Sequence, residues 1–298
     1  MAAGSKAVIE VEGRRLTLSN LEKVLYPAAG FTKAAVIDYY ARVAPVMLGH
    51  LAGRAVTMVR FPNGVEGGSF FEKRCPRHAP PWVHRAEVDG LNACVVDDAP
   101  TLVWMANLAA LELHTLQARA DDPDHPTSMV FDLDPGAPAD LVACARVAVD
   151  LRQALEGLGL VCVAKTSGAK GLHLAVPVRG ATAEATKAFA RGLGELLAQQ
   201  APGRVTVLMA KEQRRNRVFV DWSQNDRHKT TVGAYSLRAQ PQPTVSTPVS
   251  WDEISAVADG QDPTALSFEA PDVLARVERL GDLYAANLDA DQALPELA

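Results

Sequence analysis

Two aspartates stand two residues apart in the apolar segment VFDLDPG (residues 130–136), just before a Pro-Gly break. Because successive side chains of a strand point to opposite faces, Asp132 and Asp134 share one face, while Phe131 and Leu133 face a core. Two carboxylates this close raise each other's pKa unless a positive charge lies between them. The spacing therefore predicts a divalent-cation site, because Mg²⁺ and Mn²⁺ prefer oxygen ligands.

A second segment, KTSGAKGLH (residues 165–173), has the composition of an anion-binding loop. Its glycines let backbone N–H groups approach an anion closely, and Ser167 and Lys170 add a hydroxyl donor and a positive charge. The spacing is not that of a Walker A loop. A histidine in a strand, such as His173, is often structural, but its place two residues after this loop favours a phosphate contact.

A third acid, Asp221, ends a predicted strand and is followed by the basic segment 229–238. Taken alone, Asp221 could equally be a strand-end cap or a salt-bridge partner. Together with Asp132 and Asp134, it completes a set of carboxylates able to hold two Mg²⁺ or Mn²⁺ ions for in-line phosphoryl transfer. The combination predicts an enzyme that transfers a phosphoryl or nucleotidyl group.

Four segments in this order, VFDLDPG, TSGAKGLH, VFVDWSQN and KTTVGAYSLR, resemble the polymerase domain of bacterial ligase D. That domain is a non-homologous end-joining member of the archaeo-eukaryotic primase-polymerase superfamily. The resemblance extends over nearly the whole chain, including NLEKVLYP (residues 20–27) and FFEK (residues 70–73). It implies a mixed α/β fold: a primase-polymerase catalytic core with two sheets flanked by helices, and an N-terminal α/β subdomain.

The resemblance also implies roles for individual side chains. The catalytic, metal-binding acids are Asp132, Asp134 and Asp221. The residues that contact the incoming nucleotide are His114, Ser167, Lys170, Gly171, His173, Lys229 and Arg238. The cations that hold the 5′-phosphate of a downstream strand are Lys23 and Lys33. Phe70 and Phe71 match an aromatic pair, one of which stacks on template DNA; because neighbouring strand side chains alternate, we expect the other to point inward.

The implied activity is DNA-dependent nucleotidyl transfer to a primer 3′-OH at gaps or double-strand-break ends, with two Mn²⁺ or Mg²⁺ ions and a preference for ribonucleotides. The implied partners are gapped or broken DNA, a nucleoside triphosphate, a Ku-type end-binding protein and a separate DNA ligase, since the sequence contains no K-x-D-G ligase motif. Three alternatives stay open: a primase that starts chains de novo, a non-catalytic DNA-end-binding module, and a sugar transferase with a D-x-D motif.

Hydrophobic periodicity and helix caps predict the elements that must position these side chains. Thr32 caps a helix predicted from Lys33 to about Leu48. The Ala- and Leu-rich segment Thr101–Leu116 predicts another helix, which would carry His114. Further helices are predicted at 141–158 and 182–198, and strands at 55–61, 128–133, 160–165, 172–178 and 217–220. Three prolines between 241 and 248 predict an exposed connection to a mainly helical C-terminal part.

The net charge of −5 over 298 residues hides an uneven distribution of charge. Residues 203–238 contain eight Lys or Arg and three acids, whereas residues 251–298 contain eleven acids and two Arg. A basic surface separated from an acidic tail suits a protein that binds a polyanion. We expect one primase-polymerase domain with an N-terminal DNA-end-binding subdomain (1–100), a catalytic core (101–245) and an acidic C-terminal part (246–298).

The sequence predicts no membrane contact, because no apolar stretch approaches the ~20 residues that span a bilayer and the N-terminus lacks a signal-peptide core. The four cysteines are not spaced as a disulfide framework, so we expect a reducing, cytoplasmic location at the nucleoid. Cys75, His78, His84 and Cys94 are four possible zinc ligands, but their irregular spacing across Pro80-Pro81 argues against a zinc site.

Overall fold

The computed structural model describes residues 6–289 and 291–296, in which the chain alternates between helices and strands. The helices are α1 (Lys33–Leu51), α2 (Ala99–Asn107), α3 (Leu141–Gly157), α4 (Ala183–Gln200), α5 (Trp251–Ala258) and α6 (Ala270–Leu280). The strands are β1 (Lys6–Val11), β2 (Arg14–Ser19), β3 (Val24–Tyr26), β4 (Phe31–Thr32), β5 (Ala55–Arg60), β6 (Phe70–Glu72), β7 (Arg85–Val88), β8 (Leu91–Val95), β9 (Ala110–Thr115), β10 (Ala118–Arg119), β11 (Asp122–Pro126), β12 (Ser128–Pro135), β13 (Val163–Thr166), β14 (Leu172–Pro177), β15 (Val205–Thr206), β16 (Val218–Asp221), β17 (Thr231–Val232) and β18 (Pro248–Val249).

Two six-stranded sheets form the framework of the fold. Sheet I has the order β17-β9-β5-β8-β7, with β6 paired to β5, and all of its pairs are antiparallel. Sheet II has the order β15-β16-β12-β14-β13-β18 and is antiparallel except for the β15–β16 pair. This arrangement confirms the predicted mixed α/β fold with two sheets.

Each sheet packs one face against helices to form a hydrophobic core, and the core of sheet I also includes side chains from the other face of sheet II. Sheet I packs on α1, α2 and α6, and its core includes the fully buried Tyr39 and Tyr40. Sheet II packs on α3, α4 and α5, and its core includes Phe131 and Leu133, as the alternation in β12 predicted. Burial of these apolar side chains is the main driving force for forming both layers.

Most predicted elements are present, with bounds that differ by a few residues. Thr32 caps α1, because its side chain accepts a hydrogen bond from the backbone N–H of Ala35, and the helix runs to Leu51. Thr182 caps α4 in the same way. Within the described ranges, no helix combines the length and the apolar character needed to cross a bilayer.

The predicted helix from 101 to 116 is wrong over its second half. Helix α2 ends at Asn107, the chain turns at Ala109 with a φ of 57°, and β9 begins at Ala110. Strand β9 lies inside sheet I, between β5 and β17, and is almost wholly buried. The segment 108–116 is rich in Ala, Leu and Glu, which favour a helix locally. Pairing of β9 with β5 and β17 overrides this local preference.

The connection that carries the three prolines is buried, contrary to the prediction. Val245, Ser246 and Thr247 are each at most 1% exposed. The carbonyl of Thr247 accepts a hydrogen bond from the N–H of Thr166 (2.8 Å), and β18 then pairs with β13 at the edge of sheet II. The segment therefore brings the hydroxyl of Ser246 into the interior.

Cys75 and Cys94 form a disulfide, so the expectation of unpaired cysteines is wrong for this pair. The loop after β6 folds back on β8, where the N–H of Cys75 donates to the carbonyl of Asn92 (2.8 Å). Nothing in a 19-residue separation indicates such a return. Two sulfurs bonded to each other are not thiolate ligands, so the candidate zinc set does not form in this state.

Asn225 ties the segment after β16 to β12, and we expect Asn225→Ala to be strongly destabilising. Its side chain accepts from the N–H of Val130 (2.7 Å) and donates to the carbonyl of Val130 (2.7 Å). Removal leaves buried backbone groups unpaired, at a cost of about 2–4 kcal/mol in the free energy of unfolding. Urea denaturation would measure this cost, and the exposed control Asn92→Ala should change stability by less than ~0.5 kcal/mol. Equal effects of the two substitutions would contradict the assignment.

Candidate active site

A row of four ionisable side chains crosses sheet II. Asp221, Asp132, His173 and Lys165 are directly opposite one another on β16, β12, β14 and β13. Directly opposed residues of antiparallel strands project from the same face, and Asp134 joins this face two residues further along β12. The register thus brings together the three predicted acids and His173, and it adds Lys165, to which the sequence assigned no role.

A cavity of about 300 Å³ lies between the two sheets and is lined by most of the predicted site residues. The predicted residues that line it are His114, Asp132, Asp134, Ser167, Lys170, His173 and Arg238. Gln224, Thr230, Thr231 and Gln240 also line it, and sequence reasoning did not single them out. Asp221, Gly171 and Lys229 lie outside this lining, so the structure does not bring the whole predicted set to one surface.

Asp132 is a buried carboxylate with an unused oxygen. Its side chain is 15% exposed, and Nε2 of His173 lies 3.2 Å from its Oδ1 without the alignment of a hydrogen bond. Oδ1 consequently has no hydrogen-bond partner among the described residues. Burial alone would raise the pKa of Asp132, but His173, Lys165 and Arg238 outweigh it and hold that pKa below its usual range. Asp132 is therefore ionised and has a lone pair available.

Asp134 has the opposite electrostatic environment. Burial raises its pKa to about 6, and the negative charges of Asp132 and Asp221 add to this increase. Two neighbouring carboxylates oppose the ionisation of this group, and a bound cation would favour its ionised form. The chemistry of Asp134 and the free oxygen of Asp132 thus fit a divalent cation with oxygen ligands.

The carboxylate of Asp221 is held by its own chain. It accepts hydrogen bonds from the N–H of Ser223 (2.9 Å), the hydroxyl of Ser223 and Nε2 of Gln224 (2.9 Å). The Nζ of Lys229 donates in turn to the hydroxyl of Ser223. Among the described residues, no group of three or more His, Cys, Asp or Glu side chains is arranged to hold a metal ion. The structure thus supports Asp132 and Asp134 as cation ligands more directly than it supports Asp221.

Glu112 organises the sheet I side of the cavity, although none of the sequence motifs assigns it a role. Its carboxylate accepts from Nε2 of His114 (2.8 Å), from Nε of Arg238 (3.1 Å) and from the N–H of Ala239 (2.9 Å). Burial opposes its ionisation, but these partners outweigh burial and lower its pKa to about 2. The signal available in the sequence was the alternation E-L-H in β9, which places Glu112 and His114 on one face.

The loop between β13 and β14 uses its own hydrogen-bond donors. The hydroxyl oxygen of Ser167 accepts from the N–H groups of Ala169 (3.2 Å) and Gly171 (3.0 Å), so these do not point freely into the cavity. Gly171 is required because a Cβ there would lie 2.1 Å from the carbonyl oxygen of Leu133. The hydroxyl of Ser167 and the exposed ammonium of Lys170 line the cavity and are able to donate to an anion.

Both aromatic residues of β6 are exposed, so the expectation that one points inward is wrong. Phe70 is 44% exposed and Phe71 is 64% exposed, because β6 is a three-residue strand that is not covered by a helix layer. The guanidinium of Arg60 lies over the ring of Phe70, 5.1 Å from its centroid. The ring of Phe71 meets His114 edge-on, 6.2 Å between centroids, which places Phe71 at the border of the cavity.

Lys23 and Lys33 lie next to each other, since the N–H of Lys33 donates to the carbonyl of Lys23 (2.8 Å). Nζ of Lys33 is buried and donates to the carbonyl of Ser19 (2.6 Å), and Nζ of Lys23 reaches Oδ1 of Asn63 (3.1 Å). Burial lowers the pKa of Lys33 to about 8, and the positive charges of Lys23 and Arg60 contribute. Because these positive charges disfavour one another, a bound anion would stabilise their charged forms.

Asp134→Asn should stabilise the metal-free protein at neutral pH. Since the folded-state pKa of Asp134 is raised to about 6, its ionisation penalises the folded protein above pH 6 and has no effect below about pH 4. We expect the variant to gain about 1–2 kcal/mol at pH 7, a value reduced for partial exposure, and nothing at pH 4. Urea denaturation in a chelator at both pH values would measure the gain. The exposed control Asp121→Asn should show no such pH dependence, and an unchanged stability of Asp134→Asn at pH 7 would contradict the prediction.

Comparison of the sequence with known proteins matches the chain to one family. The family model of the LigD primase-polymerase domain matches residues 32–284. The multifunctional non-homologous end joining DNA repair protein LigD of Mycobacterium tuberculosis is 44% identical over 93% of this chain. The bifunctional non-homologous end joining protein LigD of Bacillus subtilis is 30% identical over 90% of it. The chain spans 37% and 43% of the lengths of these two relatives.

A solved structure shows the same architecture. The polymerase domain from Mycobacterium tuberculosis Ligase D, in complex with DNA, superposes with a TM-score of 0.84 and 42% sequence identity. The match covers 93% of this chain and 99% of that domain. The chain belongs to the LigD primase-polymerase domain family, a family of nucleotidyltransferases in non-homologous end joining repair.

Proposed function

We propose that this protein adds nucleotides to a primer 3′-OH at DNA gaps or double-strand-break ends, in end-joining or gap-filling repair. The observation that carries this proposal is the cavity between the sheets, in which the carboxylates of Asp132 and Asp134 face the cations Lys170 and Arg238. A negatively charged catalytic strand beside a positively charged wall suits a nucleoside triphosphate bound together with divalent cations. The solved polymerase domain from Mycobacterium tuberculosis Ligase D is in complex with DNA, which supports DNA as the second substrate here.

The side chains that line the cavity contact different parts of the nucleotide in this reaction. Lys170, Arg238 and the hydroxyl of Ser167 bind the triphosphate through charge and hydrogen bonds, and His173 donates from the floor. His114 lies at the sheet I wall, where it contacts the sugar. Lys229 supports the site indirectly, because it donates to the hydroxyl of Ser223. The new bond joins the primer 3′-oxygen to the α-phosphorus, the bond to the bridging oxygen breaks, and pyrophosphate leaves.

Asp132 and Asp134, with Asp221 opposite Asp132, would hold two divalent cations, Mn²⁺ or Mg²⁺. When bound, these cations supply neutralisation of the triphosphate and acidification of the primer hydroxyl. The chain itself orients the carboxylates: Ser223 and Gln224 fix Asp221, and His173 lies against Asp132. The preference for ribonucleotides rests on the family resemblance alone.

DNA contacts extend from the cavity to the N-terminal part of the chain. Phe71 borders the cavity and offers an exposed ring for base stacking, worth about 1–3 kcal/mol per base. Phe70, held by Arg60, extends this surface. Lys23 and Lys33 bind the 5′-phosphate of a downstream strand through their paired positive charges.

The wider role follows from the same reasoning. We infer that residues 1–100 bind DNA ends, that 101–245 carry the catalysis, and that 246–298 are an acidic, mainly helical part that packs on both sheets. The functional partners would be a Ku-type end-binding protein and a DNA ligase. The cellular location would be the cytoplasm, at the nucleoid. A primase that starts chains de novo shares the acids and the triphosphate site, so a primer requirement separates the two activities.

Primer extension on a one-nucleotide gap tests the proposal. We expect templated addition, greater with a 5′-phosphate on the downstream strand than without it, in a comparison of ribonucleotides with deoxyribonucleotides in Mn²⁺ and in Mg²⁺. Asp132→Ala combined with Asp134→Ala should reduce the rate on the order of a thousandfold, as expected for loss of a preorganised electrostatic group. Lys23→Ala should abolish the stimulation by the 5′-phosphate and leave extension on an unphosphorylated gap unchanged.

Two other results would redirect the assignment. Product formed without a primer would favour a primase. Gap binding without extension would favour a non-catalytic end-binding module. Extension that persists in the double aspartate variant would refute the assigned catalytic site.

Glu112→Gln tests whether the buried carboxylate supports nucleotide binding. The substitution keeps the shape but loses the negative charge that pairs with His114 and Arg238, so we expect the KM for the nucleotide to rise about tenfold with DNA affinity unchanged. Steady-state extension at varied nucleotide concentration measures this change. The matched control is Glu253→Gln, which loses a comparable ion pair with Arg276 outside the cavity and should leave KM unaffected. An equal rise in both variants would indicate general destabilisation.

A further inference from the structure

Lys165 is a buried lysine to which neither the sequence motifs nor the proposed reaction gives a role. It is 4% exposed and lies on β13, opposite His173 of β14. Its Nζ contacts Oγ of Ser246 (2.7 Å) and Nδ1 of His173 (3.1 Å), neither of which is a carboxylate. Lysine is rarely buried without an acidic partner, because removing its charge from water is costly. The burial of this lysine therefore calls for a role that depends on its contacts with two neutral acceptors.

The hydrogen-bond directions around Lys165 can be assigned from the partners. The hydroxyl of Ser246 donates to the carbonyl of Thr166 (2.8 Å), so its oxygen accepts from Nζ of Lys165. Burial lowers the pKa of Lys165 to about 7, so below that pH its Nζ is an ammonium group, which donates and does not accept. Nδ1 of His173 must then present a lone pair to it. The single N–H of the neutral imidazole is then on Nε2, 3.2 Å from Oδ1 of Asp132.

The opposite tautomer would be unfavourable on both sides of the ring. It would direct an N–H of His173 at the Nζ of Lys165 and a lone pair at the carboxylate of Asp132. His173 also lines the cavity, where phosphate oxygens accept hydrogen bonds and cannot donate them unless protonated. A histidine at this position is useful to a triphosphate only with its proton on Nε2.

We propose that Lys165 is a positioning residue for nucleotidyl transfer: its Nζ, anchored by Ser246, donates to Nδ1 of His173 and holds the imidazole with its proton on Nε2, facing Asp132 and the nucleotide. The consequence for the nucleotide rests on the proposed function. The consequence for the tautomer does not, because it concerns three side chains of the protein without ligand.

The first measurement is the tautomer of His173 in the unliganded protein at pH 6, where Lys165 is charged. Two-bond ¹⁵N–¹H correlation spectra of protein with ¹⁵N-labelled histidine distinguish a protonated ring nitrogen from a bare one. The His173→Gln spectrum assigns the signal among the seven histidines. We expect a single Nε2–H tautomer in the wild type and a mixture, or the Nδ1–H form, in Lys165→Met. Lys165→Arg keeps a donor and should restore the wild-type spectrum.

The second measurement is the affinity for ATP with Mn²⁺, by calorimetry in the absence of DNA. We expect Lys165→Met to bind about tenfold more weakly, Lys165→Arg to recover most of the loss, and the exposed control Lys6→Met to match the wild type. Should Lys165→Met fail to fold, Ser246→Ala removes the anchor and keeps the lysine, and it should give a mixed tautomer.

The outcomes separate this inference from the proposed function. A folded Lys165→Met, or Ser246→Ala in its place, with an unchanged His173 tautomer overturns the inference, whatever the affinity. Unchanged ATP affinity despite a changed tautomer overturns the role in nucleotide binding. A wild type with the Nε2–H tautomer and no affinity for ATP supports the positioning contact while refuting the proposed nucleotide site.

Discussion

The structure depends on the cost of keeping carboxylates close together in a partly dry interior. Asp132 and Asp134 share one face of β12, and Asp221 stands opposite Asp132. Neighbouring positive charges offset this repulsion at Asp132 more than at Asp134. His173, Lys165 and Arg238 favour the charged form of Asp132, whereas Asp134 keeps a raised pKa and receives no comparable compensation. A bound cation would offset the uncompensated part of this charge, whereas fully neutralised acids would form a structural network.

The chemistry of the site was predictable from the sequence because it is encoded locally. The two-residue spacing in VFDLDPG places two carboxylates on one face of any strand, and the loop before His173 requires glycine for close approach. The pairing of strands is not local. Nothing within β12, β14 or β16 specifies that Asp132 is opposite both His173 and Asp221, so the row across sheet II emerged only with the register.

The errors in prediction have a common physical origin in tertiary burial. The sequence of β9 favours a helix because it is rich in Ala, Leu and Glu, but pairing within sheet I makes it a strand. The proline-containing connection reads as exposed, yet it is covered and provides Ser246. Lys165 has no sequence pattern that marks it, and the alternation that marks Glu112 was hidden by the helix prediction; both residues act through partners distant along the chain.

The position of the cavity between the two sheets has a consequence for how the protein responds to a ligand. Each sheet buries its own apolar face against its own helices, whereas the cavity takes His114 from one sheet and Asp132 from the other. A molecule that fills the cavity touches both halves and acts as a cross-link between them. Its binding free energy then adds to the cohesion of the two layers, so occupancy of the site and resistance of the whole chain to unfolding rise together.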